Sequence, residues 1–497
     1  GRVGPRRITQ SYHMVLALES CQVYLEEHPL SIFVSTTPFF PYGARNSAQE
    51  LSIMLSSATS ISPIRKRIIK CLEHHQPALV SMSIGKGQPS GRSSSLEEFA
   101  VRWNTSRLYS STASSLSSSS GSPLALYTWG TNKSGCLLQD SAAASAIVWE
   151  PEQAHLPIDG NSTLSSISCG AAETAVVTED GRVYVAGENK QGQLGLGHKN
   201  PVSTLTEIPD IPAMTKVALG SNTGAMITKE HGDLYTCGFG GSIVQGMGVL
   251  GHGNGESYTN PTLVESLVED GCSVQDVVLG ESHTTVLTTE GEVLTTGAGS
   301  YGRLGNGETS EDSLYFDSVE ILQEGTVTQI AGGKSFTLAL TKEGVIYGWG
   351  RNHKGQLGTG FGMAVDMYSM EQIPTPIDAD ELINRTVTKI AAGSNHAACI
   401  TSSGELFWWG MSLNLEPVRV AEVLHTKIID IACGQDYTMA LSEDNHIYIW
   451  GAGKTGVLGV GPNTKTLNQA QLIKSLAEKE IVFMSAGWIH AACFVQE

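Results

Sequence analysis

Three histidines, His283, His396 and His490, fall at one position of a recurring segment, and imidazoles repeated in this way are what a metal centre or a proton relay would use. The sister segments carry Glu173, Thr223, Phe336 and Tyr437 at that position. A mixed set of this kind points to structural hydrogen bonding or packing, not to a shared ligand. Two stretches, Gly297-Ala-Gly-Ser-Tyr-Gly302 and Gly451-Ala-Gly-Lys-Thr-Gly456, fit the glycine pattern that lets a backbone approach a pyrophosphate at a helix start. No helical pattern follows either of them, and the equivalent stretches beginning at Gly187 and Gly350 lack the middle glycine. Gly453-Lys454-Thr455 resembles the end of a phosphate loop, but Tyr448 stands where that loop needs its first glycine. No nucleophile, base and orienting group come together. The sequence therefore predicts no catalytic residue, no metal and no cofactor.

The nine cysteines, Cys21, Cys71, Cys136, Cys169, Cys237, Cys272, Cys399, Cys433 and Cys493, include no Cys-x-x-Cys pair. Neither a zinc ribbon nor a disulfide framework is visible. Cys399 and Cys493 end matching His-Ala-Ala-Cys runs and read as small buried hydrophobes, in a protein of a reducing compartment.

The elements that must carry these residues repeat along the chain. Glu290-Gly291 to Gly307, Glu343-Gly344 to Gly360 and Asp180-Gly181 to Gly197 are recognisable copies of one unit. An anchor glycine recurs at Gly170, Gly220, Gly280, Gly333, Gly393, Gly434 and Gly487. A closing glycine recurs at Gly130, Gly187, Gly238, Gly297, Gly350, Gly410 and Gly451. Anchor and closing glycine stand 17 residues apart in five copies and 18 apart from Gly220 to Gly238. Such constancy means a strand, a tight turn and a second strand, whose register cannot slip without exposing the apolar face. Successive anchors are 50, 60, 53, 60, 41 and 53 residues apart, so length variation is confined to the remaining loops. In repeat folds such loops project from one face, where partners are met.

The array enters in mid-repeat at Tyr127-Thr-Trp-Gly130 and ends on the complementary half, Ser485 to Val495. Two halves that complete one blade close a ring and remove its edge strands. The prediction is an all-β, seven-bladed β-propeller over residues 124–497, closed by the N- and C-terminal half-repeats and preceded by a disordered extension.

The hairpins with Trp-Gly or its equivalent, followed by Gly-Gln-Leu-Gly at 192–195 and 355–358, Gly-Arg-Leu-Gly at 302–305 and Gly-Val-Leu-Gly at 456–459, resemble the regulator of chromosome condensation repeat family. The resemblance covers three quarters of the chain. Two copies depart from it. Gly-Gly-Ser-Ile-Val-Gln-Gly is inserted after Gly238, and after Gly410 the glycine motif gives way to Met411 to Glu416. Light-sensing members use clustered tryptophans from Gly-Trp-Arg-His-Thr-like runs. This chain has one such run, Gly487-Trp-Ile-His490, without the arginine, which argues against photoreception.

Charge divides the chain. Residues 1–120 hold 12 Lys or Arg and seven Asp or Glu, whereas residues 121–497 hold 19 against 42. Such an acidic propeller repels phosphate backbones, and no direct nucleic-acid binding by it is expected. The chain opens on Gly1, which reads either as a fragment or as translation begun upstream of the true start, and residues 1–53 show no periodicity. Residues 54–110 carry eight bases against three acids and are rich in serine. That is the composition of a mitochondrial presequence, with Arg107, Tyr109 and Ser110 as the candidate cleavage site. The competing readings are a disordered basic tail and a retained nuclear arm. Residues 111–123 form a Ser-rich linker. No apolar run approaches the roughly 20 residues of a membrane-spanning helix, so a soluble protein is expected. The presequence composition puts it in the mitochondrial matrix, with nucleus or cytoplasm as the alternative, and a monomer is expected.

The best candidate partner loop contains Phe361, Met363, Met367, Tyr368 and Met370, an adaptable apolar set. Folding back over its own blade is the competing reading. Family members with a presequence are associated with ribosome and RNA-processing factors and with GTPases, which implies a non-enzymatic scaffold or regulator in organellar gene expression or ribosome assembly. Basic ribosomal proteins would suit the acidic body as partners. The alternative that the resemblance implies is a nuclear, chromatin-associated guanine-nucleotide exchange factor for a small GTPase, acting by a wedge that prises nucleotide loose. Only the insertion after Gly238 competes for that role, and it is short. A trafficking or ubiquitin-ligase propeller would need companion modules that the chain does not show.

Overall fold

The structure, a computed structural model, describes residues 124–139, 146–156, 164–307, 311–322, 326–360 and 368–496 in full, and backbone strands within residues 1–117. Those early strands belong to a separate unit, Gly1–Ser117. Ile32–Thr36, Leu51–Ser56, Val80–Gly85 and Glu98–Phe99 form one sheet in it. The candidate cleavage residues Arg107, Tyr109 and Ser110 and the Ser-rich linker lie outside the described residues.

The second unit is a propeller of seven four-stranded antiparallel sheets. Blade 1 comprises Leu164–Cys169, Glu173–Thr178, Val183–Gly187 and Val202–Glu207. Blades 2 to 6 begin with Met214–Leu219, Val274–Leu279, Val327–Gly332, Val387–Ala392 and Ile428–Cys433. Blade 7 is composite. Glu480–Ala486 and His490–Gln496 come from the C-terminal end, and Leu124–Thr131 and Ile147–Gln153 complete it. His490 is register partner to Gly130 and Gln496 to Leu124, so the ring closes by strand pairing.

Burial explains the spacing. In blades 1 to 6 every residue of the second strand is buried, while the first strands are buried at only some positions and line the central channel. Seven apolar cores result, each shared by two neighbouring blades. One joins blades 4 and 5 through Leu338, Leu357, Ile390, Phe407 and Trp409, and another joins blades 7 and 1 through Leu126, Val176, Ala186 and Phe494. Among the described residues no blade holds a core of its own, as expected where single repeats cannot bury their apolar faces.

The two glycine motifs are the two sides of one contact between blades. Trp409 of blade 5 donates its indole N–H to the Gln356 carbonyl of blade 4 at 2.9 Å, Trp349 donates to the Arg303 carbonyl at 3.0 Å, and Trp129 donates to the Val457 carbonyl at 2.8 Å. A Cβ at Gly358, Gly305 or Gly459 would stand 2.8 to 3.0 Å from the same indoles. Gly-Gln-Leu-Gly is thus the seat for the next blade's Trp-Gly. Trp409→Ala is expected to cost about 3–5 kcal/mol, the usual range for a buried tryptophan, with Trp408→Ala, whose side chain is only partly buried, costing less. Urea unfolding of the two variants checks the order.

The turn after Gly410, where the glycine motif is missing, is a tight hairpin. Leu413 N–H bonds the Gly410 carbonyl at 3.0 Å, with Met411 at φ 55° and Ser412 at φ 58°. Two left-handed residues between antiparallel strands make a turn whose twist matches the strands, so no seat for an indole is formed there.

Candidate functional site

Each anchor glycine has one physical reason: the side chain three residues later lies over it. A Cβ at Gly280 would come within 2.2 Å of the His283 ring, and those at Gly333, Gly393 and Gly434 would meet Phe336, His396 and Tyr437 at 1.9 to 2.2 Å. His283, His396 and His490 are fully buried, and Nε2 of each meets a threonine hydroxyl of the next blade, at Thr337, Thr438 and Thr174, at 2.9 to 3.0 Å. Thr174 already donates to the Cys136 carbonyl at 2.7 Å, so its oxygen accepts from His490 Nε2–H and leaves Nδ1 unprotonated. Burial pushes the three imidazoles down to about 3, 4 and 4. They are neutral inter-blade pins. No group of three metal-ligating side chains occurs among the described residues.

The remaining sequence-level candidates are also accounted for by packing. Gly299 abuts the Glu311 carbonyl and Gly453 abuts Leu458, which explains their glycines, and only the short 3-10 turn Ser300–Gly302 follows the first. Cys399 and Cys493 are fully buried, with thiols pushed far up by desolvation, and none of the seven described cysteines is in a disulfide.

The loops between third and fourth strands gather on the face that also carries the anchor turns. Their bases are fixed alike: the residue after the closing glycine donates its N–H to a carbonyl of the anchor turn, as Glu188 to Ala172, Ala298 to Ser282 and Arg351 to Ser335. On this rigid base the insertion after Gly238 forms a hairpin, Gly241–Ser242 paired with Gly246–Met247. Ile243 and Val244 occupy its tip and are 92% and 93% exposed. Gln245 N–H closes the turn on the Ser242 carbonyl at 3.2 Å, and Met247 N–H bonds Asp312 at 2.9 Å. Two β-branched apolar residues at the centre of an exposed turn, where Asn and Gly are intrinsically preferred, serve no core. The sequence marks the insertion but not its tip, because a Ser-Ile-Val run reads as part of a strand.

Of the candidate partner loop, Phe361, Met363 and Met367 lie outside the described residues. Tyr368 is 69% exposed, while Met370 is half-buried and pairs with Arg351 across the sheet.

The model of the RCC1-like domain matches residues 244–497, more than half of the chain, and the Regulator of chromosome condensation (RCC1) repeat matches residues 180–227 and 164–193. The chain belongs to the RCC1-like domain family. It is 32% identical over 299 residues to E3 ubiquitin-protein ligase HERC2 of Homo sapiens, covering 59% of this chain and 6% of that one. It is 32% identical over 235 residues to the secretion-regulating guanine nucleotide exchange factor of Bos taurus, covering 46% and 48%. To the RCC1 domain-containing protein RUG3, mitochondrial, of Arabidopsis thaliana it is 29% identical over 312 residues, covering 58% and 66%. It therefore spans less than two thirds of each of these relatives. The crystal structure of Prp20p from Saccharomyces cerevisiae shares the fold, at 21% identity and TM-score 0.66, over 76% of this chain and 92% of that one. No described helix of this RCC1-like propeller is long and apolar enough to cross a membrane.

Proposed function

We propose that this RCC1-like propeller is a non-enzymatic scaffold or regulator of the mitochondrial matrix, monomeric, whose loop face holds protein partners of organellar gene expression, including basic ribosomal proteins. The observation that carries the interaction role is the Ile243–Val244 tip, an apolar knob on a hairpin fixed at its base. The matrix assignment draws on the basic, Ser-rich segment 54–110 and on the mitochondrial location in the name of the relative RUG3. The acidic body complements basic partners.

The same hairpin favours a second reading, guanine-nucleotide exchange on a small GTPase, since a wedge needs only a projecting element, and one relative is named as an exchange factor. Fractionation with sequencing of the mature N-terminus tests the first reading. A matrix protein beginning near Ser110 is the expected result, and a nuclear protein retaining Arg65 to Lys70 overturns it. Nucleotide release from candidate GTPases, with wild type and with Ile243→Ser plus Val244→Ser, tests the second. Release that is lost in the variant would replace scaffold by exchange factor.

A further inference from the structure

Tyr301 carries a bulky side chain at φ 65°, a left-handed conformation that costs roughly 1–2 kcal/mol outside glycine. Two guanidinium groups lie against its ring, with Arg351 Cζ 4.5 Å and Arg303 Cζ 5.1 Å from the ring centroid. Arg303 is 6% exposed and donates from its terminal nitrogens to Ser300 Oγ at 2.6 Å and Ser335 Oγ at 3.3 Å, both neutral acceptors. Its Nε is buried with no hydrogen-bond partner, as are Arg351 Nε and His353 Nδ1. Neither arginine has a carboxylate within ion-pair distance among the described residues.

The acids that face this cluster are engaged elsewhere. Glu281 pairs with Lys334 at 3.1 Å, and Asp312 accepts the N–H groups of Met247 at 2.9 Å and Gly299 at 3.1 Å. Burial lowers the pKa of Arg303, opposed by the charges of Glu281 and Asp312 and by Tyr301 and reinforced by Arg351, and His353 is driven to about 4 by burial and then by Arg351 and Lys354. A positive potential thus persists at one point of a strongly acidic propeller. The sister blades show that the repeat does not require it, because Gln193 and Gln356 stand at the position of Arg303, and Glu188 at that of Arg351.

We propose that Arg303, Arg351 and Tyr301 form an oxyanion site for an acidic side chain, a carboxylate or a phosphate, presented by a protein partner. Two guanidinium groups, each held against the Tyr301 ring, are pre-organised for such a group. The net negative charge of residues 121–497 disfavours a polyanion such as RNA, whereas a single acid screened over about 10 Å feels chiefly the local cations. Asp312 links the site to the base of the Ile243–Val244 hairpin, so a partner with an acidic residue near an apolar one would use both.

The proposal rests on the reading that the loop face meets protein partners. Its test uses the full chain and three fluorescein-labelled peptides that share an apolar half and end in Glu-Glu, phosphoserine or Gln-Gln, titrated by anisotropy. Arg303→Gln installs the residue the sister blades use, so the fold is expected to persist, and thermal unfolding checks it; Arg351→Gln is the second variant. The Glu-Glu or the phosphoserine peptide is expected to bind, and the better of the two names the source of the oxyanion. Each variant should weaken it about tenfold, as loss of a charge-assisted fork implies. Equal affinity for the Gln-Gln peptide, no effect in both folded variants, or tighter binding of a single-stranded RNA with steep salt dependence would each overturn the assignment. Capture of matrix partners by the Arg303→Gln chain is scored separately, so partner binding that survives while the peptides fail to bind sinks this site and not the scaffold reading.

Discussion

Between pH 6.5 and pH 4 the propeller is expected to lose several kcal/mol of stability through His283, His396 and His490, enough to drive acid unfolding. The unfolded chain protonates these imidazoles near 6.5, while the folded chain holds them neutral down to about 3, 4 and 4. A folded pKa below the unfolded one means that the unfolded state binds more protons as pH falls, so stability is present above 6.5 and drains away below it. Every tenfold difference in proton affinity between the two states is worth about 1.4 kcal/mol, and a typical domain has only about 5–15 kcal/mol in hand. The physical cause is that the imidazolium would face a glycine backbone and a neutral threonine, with no hydrogen-bond partner at the buried Nδ1 among the described residues. Phenylalanine already occupies the equivalent position in blade 4, at Phe336, so a triple His→Phe variant keeps the packing over each anchor glycine while removing the titration. Its acid midpoint should fall by more than about one pH unit, at a cost near neutrality of about 1 kcal/mol for each lost hydrogen bond. An unchanged acid midpoint would show that other groups govern the transition. Glu173, at the same repeat position in blade 1, works in the opposite sense. Burial raises its carboxyl to about 7, so the stability it contributes is present below 4.5 and lost as pH rises through 7. Glu173→Gln should therefore be more favourable at pH 8 than at pH 4, offset by the cost of setting its amide N–H against one of the two donors, Ala172 N–H and Gln193 Nε2–H, that the carboxylate accepts.

The ring and its seven blades were legible because closing a propeller imposes spacing. Gly170 and Gly187 stand apart by a strand, a turn and a strand, and only the turn takes an extra residue without breaking register, as between Ile227 and Leu234 of blade 2. The structural role of His283, His396 and His490 was legible for a related reason: Phe336 and Tyr437 in sister blades cannot ligate or relay as an imidazole does. Contacts between repeats were not legible. Gly358 and Trp409 lie 51 residues apart in different blades, and nothing in either motif says that one seats the other. Nor did any pattern mark the threonines that cap the hairpins, such as Thr178 and Thr288, whose hydroxyls accept the N–H groups of Arg182 at 3.0 Å and Glu292 at 3.1 Å. Arg303 looked like a variant of the glutamine in Gly-Gln-Leu-Gly, and only folding sets it beside Tyr301 and Arg351. The functional candidates were the least legible, because departures from a repeat carry no period. Ile243 and Val244 gained meaning only when the turn placed them in solvent.

A chain cut after Ile489 is expected not to form the propeller at all, although it lacks only eight residues. The strand His490–Gln496 lies inside blade 7, between Glu480–Ala486 and Leu124–Thr131, and its removal unpairs both neighbours. It also withdraws Ala491, Ala492, Cys493, Phe494 and Val495, all buried to within 2% of completely, from the cores that blade 7 shares with blades 6 and 1. Phe494 alone is worth about 3–5 kcal/mol by truncation to alanine, and the whole strand exceeds the stability of a typical domain. His490 leaves as well, taking the pin to Thr174 and the backbone carbonyl that accepts the Tyr437 hydroxyl at 2.9 Å. The loss spreads because among the described residues no blade has a core of its own: an open ring exposes two blade faces and two strand edges at once. Circular dichroism and limited proteolysis of the cut chain should report collapse of the second unit, while Phe494→Ala in the uncut chain remains folded but less stable. A permutant that joins Gln496 to Leu124 through a short linker, and opens the chain within 308–310, should fold, since those two residues are already register partners. A cut chain that still unfolds cooperatively at the same urea concentration would mean that six blades suffice and that pairing at the seam is dispensable. The permutant separates that outcome from a simple requirement for the C-terminal sequence, because it keeps every contact of the seam while moving the chain ends elsewhere.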